Sequence, residues 1–143
     1  MISWIYSNDQ NKFFSGLIGK TIIEIRGARR GSNHISFLFN DGSAMKMSHL
    51  QDCYESVEVE DICGDINDLI GSPLLGAEVV NNASKTPRER YDESYTWTFY
   101  KFRTVKGYVD IRWYGTSNGY YSEDVDIQWY YPDFPDNWED VFE

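Results

Sequence analysis

The side chains best suited to chemistry fall into three groups. The first is the run SHLQDC at 48–53, which sets His49, Asp52 and Cys53 within five positions of one another. All three are competent metal ligands, and a cysteine near a histidine is the start of a nucleophile with its base. A structural zinc site draws on more Cys and His than this run supplies, and elsewhere the chain offers only His34 and Cys63. Nucleophilic catalysis would also need an orienting group and oxyanion donors, which no spacing reveals. The plainer alternative has His49 and Asp52 shaping a strand-to-turn transition while Cys53 is buried. The second group is acidic: Asp92, Glu93, Asp110, Glu123, Asp124 and Asp126. Carboxylates about 5–10 Å apart serve glycoside hydrolysis, and paired acids hold divalent cations. Asp124 and Asp126 share a strand face by alternation, and Asp110 is expected opposite them on a neighbouring strand. Such a cluster either faces water or needs a cation such as Arg112.

The third group carries the candidate ligand site: Tyr95, Trp97, Arg112, Tyr114, Asn118 and Tyr121, with Tyr120 and Ser122 beside them. Aromatic planes with an arginine and an amide can stack a base or sugar and clamp a phosphate or carboxylate. The competing account is an aromatic core with tyrosine hydroxyls at its rim. Arg112 sits among apolar residues and needs a counter-charge, with Asp110, Glu123 and Glu93 as the expected partners. No catalytic residue, metal or cofactor is assigned. No nucleophile, phosphate-binding loop or full metal set is legible, so the chain is expected to bind rather than catalyse.

These residues depend on the stretch 92–127, which reads as three successive antiparallel strands. Over residues 94–104, Tyr95, Trp97, Phe99, Lys101 and Arg103 share one face; Thr96, Thr98, Tyr100 and Phe102 share the other. Val105-Lys106-Gly107 turns the chain. Val109, Ile111 and Trp113 then face one way, and Tyr108, Asp110, Arg112 and Tyr114 the other. Residues 115–119, with two glycines and an asparagine, read as a second turn. A third strand sets Tyr121, Glu123, Val125, Ile127 and Trp129 against Ser122, Asp124, Asp126, Gln128 and Tyr130. Upstream, Trp4, Ile5, Phe13 and Phe14 suggest one side of a short helix ended by Gly16. TIIEIRG reads as a strand, and HISFLFNDGSAMKMSHL as a hairpin turning at Asn40-Asp41-Gly42. Residues 54–59 form a short strand, and 61–71 a short helix with Asp65 as N-cap and Gly71 as stop. LLGAEVV is a further strand. The polar run 81–92, with Pro87, is a loop.

The fold class is α+β: a mainly antiparallel sheet of about six to eight strands, one or two short helices on one side, and a strand order that largely follows the chain. Residues 1–131 form a single domain, followed by an acidic tail at 132–143 in which Phe134, Trp138, Val141 and Phe142 interleave with carboxylates. The 143 residues suffice for a core without staples, and an aromatic fraction of 17% builds it from large rings. A net charge of −10 opposes direct binding to nucleic acid or anionic lipid. A protein that normally binds nucleic acid is a more compatible partner, and oligomerisation stays open. No apolar run approaches membrane-spanning length, and the N-terminus lacks a signal peptide's pattern, so a cytoplasmic location with reduced thiols is expected. A Cys53–Cys63 bridge is the minor alternative.

At SHLQDC (48–53), DICGDINDLIG (61–71), DESYTWTFYKFRTVKG (92–107) and IRWYGTSNGYYSE (111–123), the chain resembles an uncharacterised domain family of phages and bacterial mobile elements. The likeness spans roughly residues 17–127. Tyr54 stands where many relatives are expected to carry a second cysteine, which counts against an essential paired-cysteine site. The resemblance implies a compact α+β domain of phage origin, which would act in a host cytoplasm, and it carries over no activity. Two functions are expected for a phage-type accessory protein. One is sequestering a small polar or nucleotide-like ligand to counter host defence, on the strength of the Arg112-aromatic-Asn118 set and the resemblance. The other is inhibiting a host defence protein by acidic nucleic-acid mimicry of the anti-CRISPR or anti-restriction type, on the strength of the net charge of −10 and the acidic tail.

Overall fold

A computed structural model describes residues 2–49, 55–81, 94–118 and 123–132. In chain order they form β1 (Ile2–Ile5), α1 (Gln10–Ser15), β2 (Ile22–Arg26), β3 (His34–Phe39), β4 (Ala44–Ser48), β5 (Ser56–Cys63), β6 (Gly76–Asn81), β7 (Ser94–Thr104), β8 (Gly107–Ser117) and β9 (Asp126–Tyr130). Two 3-10 turns, at Ser7–Asp9 and Ile66–Leu69, complete the regular structure among the described residues. The strands pair antiparallel into two sheets, ordered β1-β9-β4-β3-β2 and β5-β8-β7-β6.

Alternation along the strands decides which side chains are buried. On β8, Val109, Ile111 and Trp113 turn inward; on β7, Tyr100 and Phe102 do the same. They meet Phe37, Met45, Met47 and Ile127 from the other sheet in one continuous core. Burying each of these large side chains stabilises the fold by about 1.5–3 kcal/mol before entropy is charged against it. The helix α1 closes one side of this core. Its Phe14 ring lies 5.3 Å from Tyr100, and Phe13 lies 5.4 Å from Trp129, so α1 touches both sheets. Buried Gln10 joins them too: its Nε2 donates to the Val125 carbonyl at 2.9 Å, and its Oε1 accepts from the Tyr100 hydroxyl at 3.0 Å. A buried amide satisfied on both ends costs little and orients what it holds.

Several expectations are corrected. The chain is β-rich, with nine strands in two sheets and one six-residue helix among the described residues, rather than about six to eight strands in one sheet with helices on one side. The third strand of the 92–127 stretch does not continue the β7–β8 sheet. It begins at Asp126 and inserts as β9 between β1 and β4, so the chain crosses sheets between β4 and β5 and again between β8 and β9. Residues 115–117 extend β8 instead of turning, because ladders to β5 on one side and β7 on the other hold them extended. Trp4 and Ile5 belong to β1, not to a helix, although Gly16 does end α1. Residues 61–63 prolong β5, and only Ile66–Leu69 coils, capped as expected by Asp65, whose side chain accepts from the Asn67 amide at 3.0 Å. Alternation assigns a strand's faces; which sheet it joins depends on surfaces remote in sequence.

Candidate functional site

The faces read from the sequence bring most of the proposed ligand residues together. Trp97 and Tyr114 are registered neighbours across β7 and β8, as are Phe99 and Arg112, all on the outward face of the four-stranded sheet. The Trp97 and Tyr114 ring centres lie 4.4 Å apart, and Tyr95 stacks at 6.3 Å on Tyr114. The Arg112 guanidinium sits 5.7 Å from the Trp97 ring. Its described counter-charges are not Asp110 or Glu123, and Glu93 lies outside the described residues. A bulge in β5 between Val59 and Asp61 adds a residue there, and both Glu60 and Asp61 reach Arg112: Nε donates to Glu60 at 2.5 Å and a terminal nitrogen to Asp61 at 3.5 Å. Tyr114 is 1% exposed and Trp97 is buried, so this end of the face is closed and its cation neutralised. Asn118 follows β8 and is exposed, while Tyr120, Tyr121 and Ser122 lie outside the described residues.

The acidic group divides. Asp110 belongs to the outward face of β8, 4.0 Å from Lys101, and not beside Asp124 and Asp126. Asp92 and Glu93 lie outside the described residues. Glu123, Asp124 and Asp126 instead gather near His49, where the two crossings between sheets meet. His49 Nδ1 donates to the Asp124 carbonyl at 2.8 Å, and Nε2 faces the Glu55 carboxylate at 3.3 Å. Asp126 stands 3.9 Å from Nδ1. Buried Glu123 accepts from Thr96 at 2.8 Å and from Ser117 at 2.6 Å. Its backbone crosses so close to Gly115 that a Cβ there would stand 2.6 Å from the Glu123 carbonyl oxygen. Only glycine permits that approach. The cluster is a clasp. Asp52 and Cys53 lie outside the described residues, so His49 is the one metal candidate whose surroundings are defined, and no group of three or more metal-capable side chains occurs among the described residues. Cys63 is exposed and carries a free thiol.

Asp124 is exposed overall, but partial desolvation of its carboxyl, reinforced by the charges of Asp126 and Glu123 and opposed by His49, raises its pKa. A carboxyl with a raised folded pKa binds its proton more tightly when folded, so its stabilising contribution is present at low pH and lost as pH rises through that pKa. Asp124→Asn is therefore expected to be more stable than the parent at pH 8 and about equal at pH 3, measured by urea unfolding. An advantage confined to pH 3 would contradict this account.

Farther along the same outward face, two rows of registered residues border an open groove of about 840 Å³. One row runs Glu78, Lys101, Asp110, Cys63 across β6, β7, β8 and β5; the next runs Gly76, Arg103, Tyr108. A terminal nitrogen of Arg103 donates to the Leu75 carbonyl at 3.1 Å, and its guanidinium lies 5.9 Å from the Tyr108 ring centre. Arg103 forms no ion pair with a carboxylate among the described residues. Tyr108 is 71% exposed, and Leu75 and Ile18 add half-exposed apolar surface. Sequence reasoning placed Arg103 and Tyr108 on strand faces without linking them. The link was available: a turn of only Val105 and Lys106 makes Thr104 and Gly107 partners and brings Arg103 opposite Tyr108.

No helix among the described residues is long and apolar enough to cross a membrane. The chain matches no curated protein and no solved structure. A family profile matches residues 15–127, which contain both sheets' central strands, the His49 clasp and the groove: the chain belongs to the DUF7448 family, a domain of unknown function.

Proposed function

We propose that this chain is a non-enzymatic binding protein that sequesters a small polar ligand in the groove beside Arg103 and Tyr108. The observation that carries the proposal is the groove itself. Its volume of about 840 Å³ lies within the range of about 300–1,000 Å³ typical of small-molecule sites. It joins apolar wall, an exposed ring and a guanidinium that pairs with no carboxylate among the described residues. The Arg112 cluster, on the same face, acts in this reading as the rigid end of the platform, because its rings are packed and its charge is matched. The resemblance to phage and mobile-element domains supplies the context: an accessory protein withholding a nucleotide-like signal from a host defence. Acidic mimicry draws support from the net charge of −10. Against it, Glu55 and Glu123 are buried, and Glu60 and Asp61 are engaged by Arg112.

The test is thermal unfolding of the chain against nucleosides, nucleotides, amino acids and sugar acids at millimolar concentration. A ligand present at about 100 times its Kd adds about 2.7 kcal/mol to the unfolding free energy, a rise of several degrees in Tm. Mass spectrometry is expected to recover that ligand unchanged. If no compound raises Tm, or if the bound compound is converted, the proposal fails.

A further inference from the structure

We infer that the groove's ligand is a small planar molecule carrying a single anionic group, phosphate monoester or carboxylate, with its ring on Tyr108 and its anion on Arg103. This rests on the binding role proposed above and specifies its chemistry.

Three features lead there. The first is how Arg103 is held. The side chain lies over Gly76, its registered partner on β6; a Cβ at that position would stand 3.3 Å from Arg103 Nε. Gly76 is thus the gap in β6 that seats the guanidinium, and the Leu75 carbonyl anchors one of its nitrogens. A guanidinium has five N–H donors in a planar fork, so most remain for an incoming oxyanion. The second is the ring. Tyr108 is the registered neighbour of Arg103 on β8 and is mostly exposed, so a planar group can stack there while its acidic substituent reaches the guanidinium.

The third feature limits the ligand's charge. The adjoining row sets Lys101 between Glu78 and Asp110, its registered neighbours, with Asp110 at 4.0 Å. The groove therefore holds two cations, Lys101 and Arg103, and two carboxylates, Glu78 and Asp110, for a formal sum of zero. Lys101 is shared with the two carboxylates, so only the Arg103 guanidinium offers counter-charge, enough for one anionic group. The chain's net charge of −10 opposes a polyphosphate. The same two carboxylates can accept hydrogen bonds from amino or hydroxyl substituents on the ring.

Titration calorimetry on the full chain decides the matter, using the adenosine and guanosine series as nucleoside, 5′-monophosphate and 5′-triphosphate, with benzoate-type acids as the carboxylate arm. The monophosphate or the aromatic acid is expected to bind at least tenfold tighter than its neutral counterpart, and the triphosphate more weakly than the monophosphate. Arg103→Gln should reduce the anion's affinity about tenfold or more, to that of the neutral compound, because a charge-assisted contact is lost. Tyr108→Ala should weaken neutral and anionic compounds alike, and Arg26→Gln, on the other sheet, should change neither. Arg103 and Tyr108 are exposed, so both variants retain the core. If neutral and anionic compounds bind equally and Arg103→Gln is silent, the anion assignment is overturned while a binding role stands. A triphosphate that binds tightest overturns the limit to one anionic group. If neither these series nor the wider ligand panel binds, the binding role falls and the assignment with it.

Discussion

Replacing His49 with alanine is expected to cost about 2–4 kcal/mol of stability, because a nearly buried imidazole and its two polar contacts are lost together. The side chains of His49 and Glu55 are 5% and 0% exposed, so Glu55 would be left in the interior without its imidazole. The Asp124 carbonyl would lose its donor in the same step, because a carbonyl only accepts and Nδ1 supplies that hydrogen. The location magnifies the effect. His49 follows β4 and Glu55 precedes β5, so their contact closes one crossing between the sheets, while the bond to Asp124 ties in the other. Thermal unfolding should show Tm falling by about 10 °C or more for a domain of this size. Glu55→Gln, which keeps the shape and an acceptor, should lose markedly less. A His49→Ala variant within about 1 kcal/mol of the parent would show that the crossings are held by other contacts.

Phe102→Ala should be comparably damaging, at about 3–5 kcal/mol, for a different reason. The ring is 1% exposed and bridges three elements: it comes from β7, lies 5.8 Å from Phe14 of α1 and 5.7 Å from Phe37 of β3. Removing it opens a cavity at the meeting of both sheets and the helix, in a core too closely packed to collapse around the gap. Phe102→Leu retains most of the volume and should lose less than half as much. Urea unfolding of both variants measures the difference; equal losses would place the cost in ring geometry instead of cavity volume.

The two substitutions test different levels of the structure, and those levels were not equally legible beforehand. Phe102 was readable as inward-facing because Tyr100 and Phe102 alternate with Lys101 and Arg103, and a strand cannot place successive side chains on one face. The same rule put Trp97, Tyr114 and Arg112 on definite faces, and the register of the β7–β8 hairpin follows from its two-residue turn. His49 gave no such indication. Its neighbours in sequence suggested Asp52 and Cys53 as companions, whereas its partners in space include Glu55 and Asp124, the latter 75 positions away. Arg112 likewise found its counter-charge through a bulge in β5, a departure from regular pairing that no periodicity announces.

The groove shows both sides of this division. Composition, alternation and turn chemistry determined that Lys101, Arg103, Tyr108 and Asp110 project from the strands of one hairpin, because these are properties of local backbone geometry. Only the tertiary structure set Gly76 of β6 against Arg103, brought Cys63 of β5 alongside Asp110, and left this end of the face open while Tyr114 and Trp97 were buried. It also sent β9 to the other sheet. Those outcomes depend on which surfaces bury each other best across long separations in the chain. That competition is settled by the whole core at once, so no short stretch of sequence contains the answer.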